Sequence, residues 1–187
     1  MVTVQRQALS SHASEVAELC CEWETPRLRQ VLGRFVTGVT VITTSSEDGS
    51  PIGLTANSFN SLSLDPPLVL WSLGAKQGSS QAFRQCSRFA INILAESQVE
   101  LSRRFSRPAE NRFEGVSYSS ERFGVPLIND CLAWLVCEHY QQHELGDHIL
   151  FIGRVTALGE AEQRPLAYHA GAYTRVDTLV AGSAVRA

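Results

Sequence analysis

Apolar and polar positions along the chain change period several times, and each change marks a boundary between elements. Val16, Leu19 and Trp23 stand at helical spacing, which predicts a short amphipathic helix over residues 10–24, ended by Pro26. Leu28, Val31, Leu32 and Phe35 repeat at the same spacing up to Gly38, where Val39-Thr40-Val41-Ile42-Thr43-Thr44 switches to a β-branched run. That is a helix feeding a strand. Glu47-Asp48-Gly49-Ser50-Pro51 has turn chemistry and Ile52-Gly53-Leu54-Thr55 resumes extended structure, so the two runs predict a hairpin. Asp65-Pro66-Pro67 opens Leu68-Val69-Leu70-Trp71-Ser72-Leu73, a nearly unbroken apolar strand with its proline pair at the entrance.

Residues 79–85 have the composition of a serine-capped helix, and Arg88-Phe89-Ala90-Ile91-Asn92-Ile93-Leu94 predicts another buried strand. A helix is expected over residues 97–105, capped by Ser97 with Glu100 at the capping-box position. Residues 106–125 are polar and broken by Pro108 and Gly115, as in an excursion over the surface. Strands follow over residues 133–141 and 148–158, with a weaker return over 173–179. The pattern contains no internal repeat. It predicts an antiparallel, mainly β domain with a few added helices, closed into a barrel that protects its edges.

Composition narrows the class. A chain of 187 residues is one domain's worth and can bury a core without disulfides or a structural metal. We expect a domain over residues 27–187, with residues 1–26 as an N-terminal extension, helical or partly disordered. A net charge of -3 supplies no general basic field for nucleic acid, and no apolar run approaches the length of a membrane span. The N-terminus carries Glu15, Glu18, Glu22 and Glu24 and lacks the apolar stretch of a secretory signal, so a soluble, cytoplasmic protein is expected. Five cysteines form an odd set, and the neighbours Cys20 and Cys21 bridge only with strain, which suits a reducing compartment. Cys131, Cys137, His139 and His143 lack the close cysteine pair of a zinc finger, so no metal site is expected.

The chemistry concentrates between two apolar strands, in Gly53-Leu54-Thr55-Ala56-Asn57-Ser58-Phe59-Asn60-Ser61-Leu62-Ser63-Leu64-Asp65-Pro66-Pro67. A serine- and asparagine-rich connection of this kind is either a solvated turn or a set of small donors for a ligand. It has the groups that a flat heterocycle and a phosphate require. No serine sits in a Gly-x-Ser-x-Gly elbow, and no Gly-x-Gly-x-x-Gly fingerprint is present.

Four segments taken together resemble the flavin reductase family: Arg34-Phe35-Val36-Thr37-Gly38-Val39-Thr40-Val41, Gly53-Leu54-Thr55-Ala56-Asn57-Ser58-Phe59, Ser63-Leu64-Asp65-Pro66-Pro67-Leu68-Val69 and Gly146-Asp147-His148. The resemblance runs in order from Leu28 to Tyr173. It implies an FMN-binding split barrel, a six-stranded antiparallel Greek-key barrel, assembled as a homodimer. It also implies hydride transfer from NADH or NADPH to FMN or FAD, with reduced flavin passed to a partner monooxygenase or halogenase. A flavin-retaining oxidase and a non-catalytic flavin-binding protein are the alternatives on the same barrel.

Carried over by resemblance, the flavin ring and ribityl contacts fall on Thr55, Ala56, Asn57 and Ser58, with Ser61 next in the same segment. Ser72, Leu73, Ser79 and Ser80 fall near the phosphate, the last two serving equally as helix caps. Phe89 and Ala90 fall where an adjacent strand approaches the flavin, although a core role suits Phe89. Gly146 and Asp147 place His148 beside the nicotinamide, where it would bond the carboxamide or relay a proton. Tyr173 either stacks near the nicotinamide or packs the barrel. The chain departs from the family pattern at Pro165-Leu166-Ala167-Tyr168-His169-Ala170-Gly171-Ala172-Tyr173, where His169 or Ala170 stands in place of a common arginine. The choice between NADH and NADPH is thereby left open.

Overall fold

The computed structural model describes residues 21–109 and 111–177. The helix expected over residues 10–24 lies almost wholly outside them, as do Cys20 and the end of the return strand at Leu179. The chain runs through α1 (Thr25–Leu32), β1 (Thr37–Gly38), β2 (Thr40–Ser45), β3 (Pro51–Ala56), β4 (Asn60–Leu64) and β5 (Pro67–Gly74). It continues through α2 (Ser80–Gln85), β6 (Arg88–Ile93), a 3-10 turn (Glu96–Gln98) and α3 (Val99–Ser106). The last part holds β7 (Tyr118–Ser119), β8 (Leu127–Ile128), β9 (Ala133–Leu145), β10 (His148–Glu160), β11 (Ala167–His169) and β12 (Ala172–Thr174).

The principal sheet has seven strands in the order β3-β2-β6-β9-β10-β5-β4, with every pairing antiparallel. That is one strand more than the six implied by the resemblance. One of the seven, β4, lies inside the segment expected to be a loop. Its Ser-Leu-Ser-Leu alternation pairs with β5, and a bulge between Ser61 and Ser63 lets an edge strand leave Leu64 in solvent. The sheet curls on itself between β3 and β5. Ser58, just after β3, is hydrogen-bonded to the backbone of Ser72 on β5.

Inside the curl lie Ile42, Leu54, Trp71, Phe83, Phe89 and Phe151. Trp71 stacks on Phe151 at 4.6 Å between centroids, and Phe83 meets it edge-on at 5.0 Å. Close approach here requires Gly153 on β10, because a Cβ at that position would stand 2.4 Å from the Phe89 ring. A second cluster, with Val39, Val41, Leu94, Phe105 and Ile128, fills the space beneath α3.

Three local expectations change. The first helix stops at Leu32, where the i→i−4 ladder gives way to tighter bonds from the Arg34 and Phe35 N–H groups to Val31 O and Leu32 O, so Phe35 falls outside it and is 77% exposed. Ser79 stands at the N-cap of α2 with its backbone already helical, and its side chain makes no capping bond. The helix expected from Ser97 begins instead with the 3-10 turn, where Gln98 Oε1 accepts the Ala95 N–H. The excursion over residues 106–125 is anchored by Phe113, edge-on to Phe105 at 4.9 Å, and adds the β7–β8 ribbon. Cys131 and Cys137 are buried in separate clusters. Among the described residues, no helix is long and apolar enough to cross a membrane.

Candidate active site

The period-2 geometry of β3 separates two kinds of side chain. Leu54 and Ala56 turn inward, while Thr55 between them faces α3, where its hydroxyl donates to Ser102 O at 2.6 Å. Ala56 O accepts the Thr40 hydroxyl at 2.7 Å, which fixes the end of the strand. The chain then exposes Asn57 and turns at Ser58. There one serine hydroxyl accepts the Ser72 N–H and donates to Ser72 O, both at 3.0 Å.

Thr55 and Asn57 form one side of a cleft of about 240 Å³ that Val39, Ser102, Ser106, Tyr168 and Tyr173 complete. The β11–β12 hairpin supplies the tyrosines, cross-strand partners whose rings meet edge to face at 5.4 Å. Ser102 Oγ and Tyr173 OH are hydrogen-bonded at 2.8 Å, and the Arg103 guanidinium lies over the Tyr173 ring, 5.6 Å from its centroid. The hairpin turns through Ala170 (φ 49) and Gly171 (φ 86), both left-handed, as a tight two-residue loop demands.

A second group of expected residues gathers where the β5–α2 turn meets the β9–β10 hairpin. His148 pairs with Gly74, and Asp147 O accepts the Ala75 N–H at 3.0 Å. Gly146 takes φ 62 at the first loop position, where glycine is favoured. His148 Nδ1 lies 2.7 Å from Asp147 Oδ1. That hydrogen bond, the imidazole charge and the more distant Arg29 hold the Asp147 carboxyl below the usual carboxylate range. Ser79 and Ser80 are half-buried at the same turn, with Lys76 exposed beside them.

The structure thus brings Thr55, Asn57 and Tyr173 into one cleft, with Ala56 behind them, and ties Ser58 to Ser72. It gathers Gly146, Asp147 and His148 at the β5–α2 turn. Ser61 lies on the exposed edge strand opposite Val69. Leu73 and Phe89 are enclosed in the Trp71 core, and Ala90 packs with Val125 and Val136 in another cluster. None of these four lines the cleft.

Sequence reasoning missed Val39, Ser102, Ser106 and Tyr168. The signals were present in part. Ser102 and Ser106 are four residues apart on one helical face, and Tyr168 and Tyr173 flank Ala170-Gly171 at hairpin spacing.

The lining suits a planar heterocycle with carbonyl and ring-nitrogen acceptors. Phenol rings and Val39 offer flat apolar walls, while the Asn57 amide offers donors at the rim and the Thr55 and Ser106 hydroxyls, whose protons go to Ser102 O and Arg103 O, offer acceptors. A larger groove of about 670 Å³ separates β3 from residues 111–114. There the Arg112 side chain is already committed to Gly53 O and Arg107 O.

Residues 32–177 match the family model described as "Flavin reductase like domain". A Rhizobium meliloti protein named "Probable flavin reductase" is 44% identical over 160 residues, covering 86% of this chain and 51% of that protein. The Acinetobacter baylyi "Flavin-dependent trigonelline monooxygenase, reductase component" is 44% identical over 146 residues, covering 78% of this chain and 47% of its own. The chain therefore spans about half the length of these two curated relatives. The structure of the Streptomyces globisporus NADH:FAD oxidoreductase in complex with NAD and FAD fragments superposes with a TM-score of 0.82 at 34% identity. It covers 88% of this chain and 100% of that one. With the motif order, the mainly β antiparallel split barrel and this match over residues 32–177 in agreement, the chain belongs to the flavin reductase like domain family.

Proposed function

We propose that this chain is an NAD(P)H-dependent flavin reductase that supplies reduced FMN or FAD to a partner flavin-dependent monooxygenase or halogenase. The observation that carries the reading is the cleft, in which hydroxyl, amide and phenol groups from β3, α3 and β12 converge on a ring-sized space. A bound flavin supplies the hydride-accepting ring and the reduced nicotinamide supplies the hydride, so the protein's task is alignment and exclusion of water.

In this reading Asn57 and the backbone around Thr55, Ala56 and Ser58 hydrogen-bond the edge of the flavin ring and its ribityl chain. The Ser58–Ser72 bonds keep that turn from shifting when the ligand leaves. Ser79, Ser80 and Lys76 receive the phosphate at the β5–α2 turn. The Tyr173 ring walls the side on which the nicotinamide stacks. His148 is oriented through Nδ1 by Asp147, which leaves Nε2 to bond the nicotinamide carboxamide or carry a proton.

Assembly as a homodimer is part of the same proposal. No residue of α1 is buried, and Val31, Leu32 and Phe35 are 55%, 64% and 77% exposed, which suits a surface that a second copy covers.

The test is the initial rate of NADH and of NADPH oxidation with and without added FMN or FAD. A rate that requires flavin and saturates in it is expected, and it identifies both preferences together. Flavin binding without oxidation of either nicotinamide would replace this reading with that of a flavin-binding protein.

A further inference from the structure

We infer that Ser102 is a positioning residue for nicotinamide in the reductase reaction, an inference that rests on the proposed function. Ser102 is fully buried and touches both walls of the cleft at once. Its carbonyl accepts the Thr55 hydroxyl at 2.6 Å, and its own hydroxyl is bonded to Tyr173 OH at 2.8 Å. One residue of α3 therefore joins β3, on the flavin side, to β12, on the nicotinamide side.

The helix that carries it is firmly seated. Phe105, one turn along, is 1% exposed and lies against Gly53, where an added Cβ would stand 2.8 Å from the ring. Serine is not favoured inside a helix, because its hydroxyl competes for the preceding turn's carbonyls. Here that hydroxyl is engaged by a residue 71 positions away.

The other restraints on Tyr173 are weaker. Arg103, over its face, is half-exposed and ion-paired with Glu100, and Tyr168 touches only an edge. Without the Ser102 hydroxyl, the Tyr173 ring keeps its backbone anchor but loses the bond that fixes its outer end. Thr55 keeps its partner, because that partner is a backbone carbonyl. Loss of the hydroxyl accordingly acts more on the nicotinamide side than on the flavin side.

Ser102→Ala, Tyr173→Phe and the double variant are compared with the unmodified chain. NADH is varied at saturating FMN, and FMN affinity is measured separately by quenching of flavin fluorescence. Each single variant is expected to lose about three- to tenfold in kcat/KM for NADH, the range of one net hydrogen bond. FMN affinity should fall by less than kcat/KM for NADH in each single variant, and the double variant should lose no more than the worse single one, since both remove the same bond. Unchanged kcat/KM in Ser102→Ala, an equal loss of FMN affinity, or multiplied losses in the double variant each overturn the role of Ser102. An unmodified chain that oxidises neither NADH nor NADPH overturns the reductase reading, and this inference with it. Alanine improves helix propensity, so Ser102→Ala is expected to fold, and its thermal unfolding midpoint checks that it does.

Discussion

Two strands each face two different worlds. On β3, Leu54 enters the aromatic core while Thr55, one residue on, reaches α3 and the cleft. On β5, Trp71 and Leu73 are 0% and 2% exposed, while Ser72 between them is held by Ser58 at the mouth of the curl. The inward face is aromatic and aliphatic. At Thr55 and Ser72 the outward face carries hydrogen bonds in place of packed rings. Because side chains alternate along a strand, stability and chemistry are separated by a single residue, and neighbouring substitutions should behave quite differently.

The largest effect is expected on the inward face. Trp71→Ala should cost about 3–5 kcal/mol, read as a fall in the urea midpoint, because the ring fills the space between Phe83, Phe89 and Phe151. Trp71→Phe should cost far less, since the buried Trp71 Nε1 has no hydrogen-bond partner and its removal relieves an unsatisfied donor. Equal losses for the two variants would mean that the indole N–H contributes to stability.

Alkaline pH probes the two buried clusters without mutation. Burial pushes the Cys131 and Cys137 thiols up to about 12, against an ordinary value of 9.0. Their folded pKa exceeds the unfolded one, so the stability they contribute is complete below about pH 9. It is lost as pH rises towards 12, when the unfolded thiols ionise first. Unfolding free energy should therefore decline across this window, and Cys137→Val should decline less steeply. Parallel curves would remove Cys137 from the account.

Outward-face changes should leave stability nearly intact. Thr55→Val forfeits one hydrogen bond, about 1 kcal/mol, while FMN affinity falls by more than that bond's worth because the rim of the cleft loses a polar oxygen to a methyl group. Stability and affinity losses of equal size would show that the face has no separate role. The smallest effect, and a favourable one, is expected of Ala170→Gly. At φ 49 alanine is strained, and glycine should raise the thermal midpoint by about two degrees.

Much of this was legible along the chain. Turn chemistry at Glu47–Pro51 and Gly146–Asp147, and the β-branched runs between such turns, marked the strands, because local conformational preference and the two-residue period act over a few residues. The segment from Asn57 to Leu64 was harder to read. Its Ser/Leu alternation is that of a strand, yet its serines and asparagines suggest a loop, and only the free edge of β5 decides between them. Composition singles out the segment that holds Thr55 and Asn57, and the family resemblance implies the two residues themselves. Neither points to Ser102, because one serine in an amphipathic helix has the same local signature whether it meets solvent or a tyrosine.

By itself, then, the sequence determined the alternation of faces, the places where strands turn, and the motif order that marks the family. Tertiary structure alone decided that β4 joins the sheet, that Phe89 and Ala90 enter two different cores, and that Ser102 meets Tyr173. Those outcomes depend on the register of remote strands and on how α3 seats against Gly53. Such contacts form between segments far apart along the chain, and no local period encodes them.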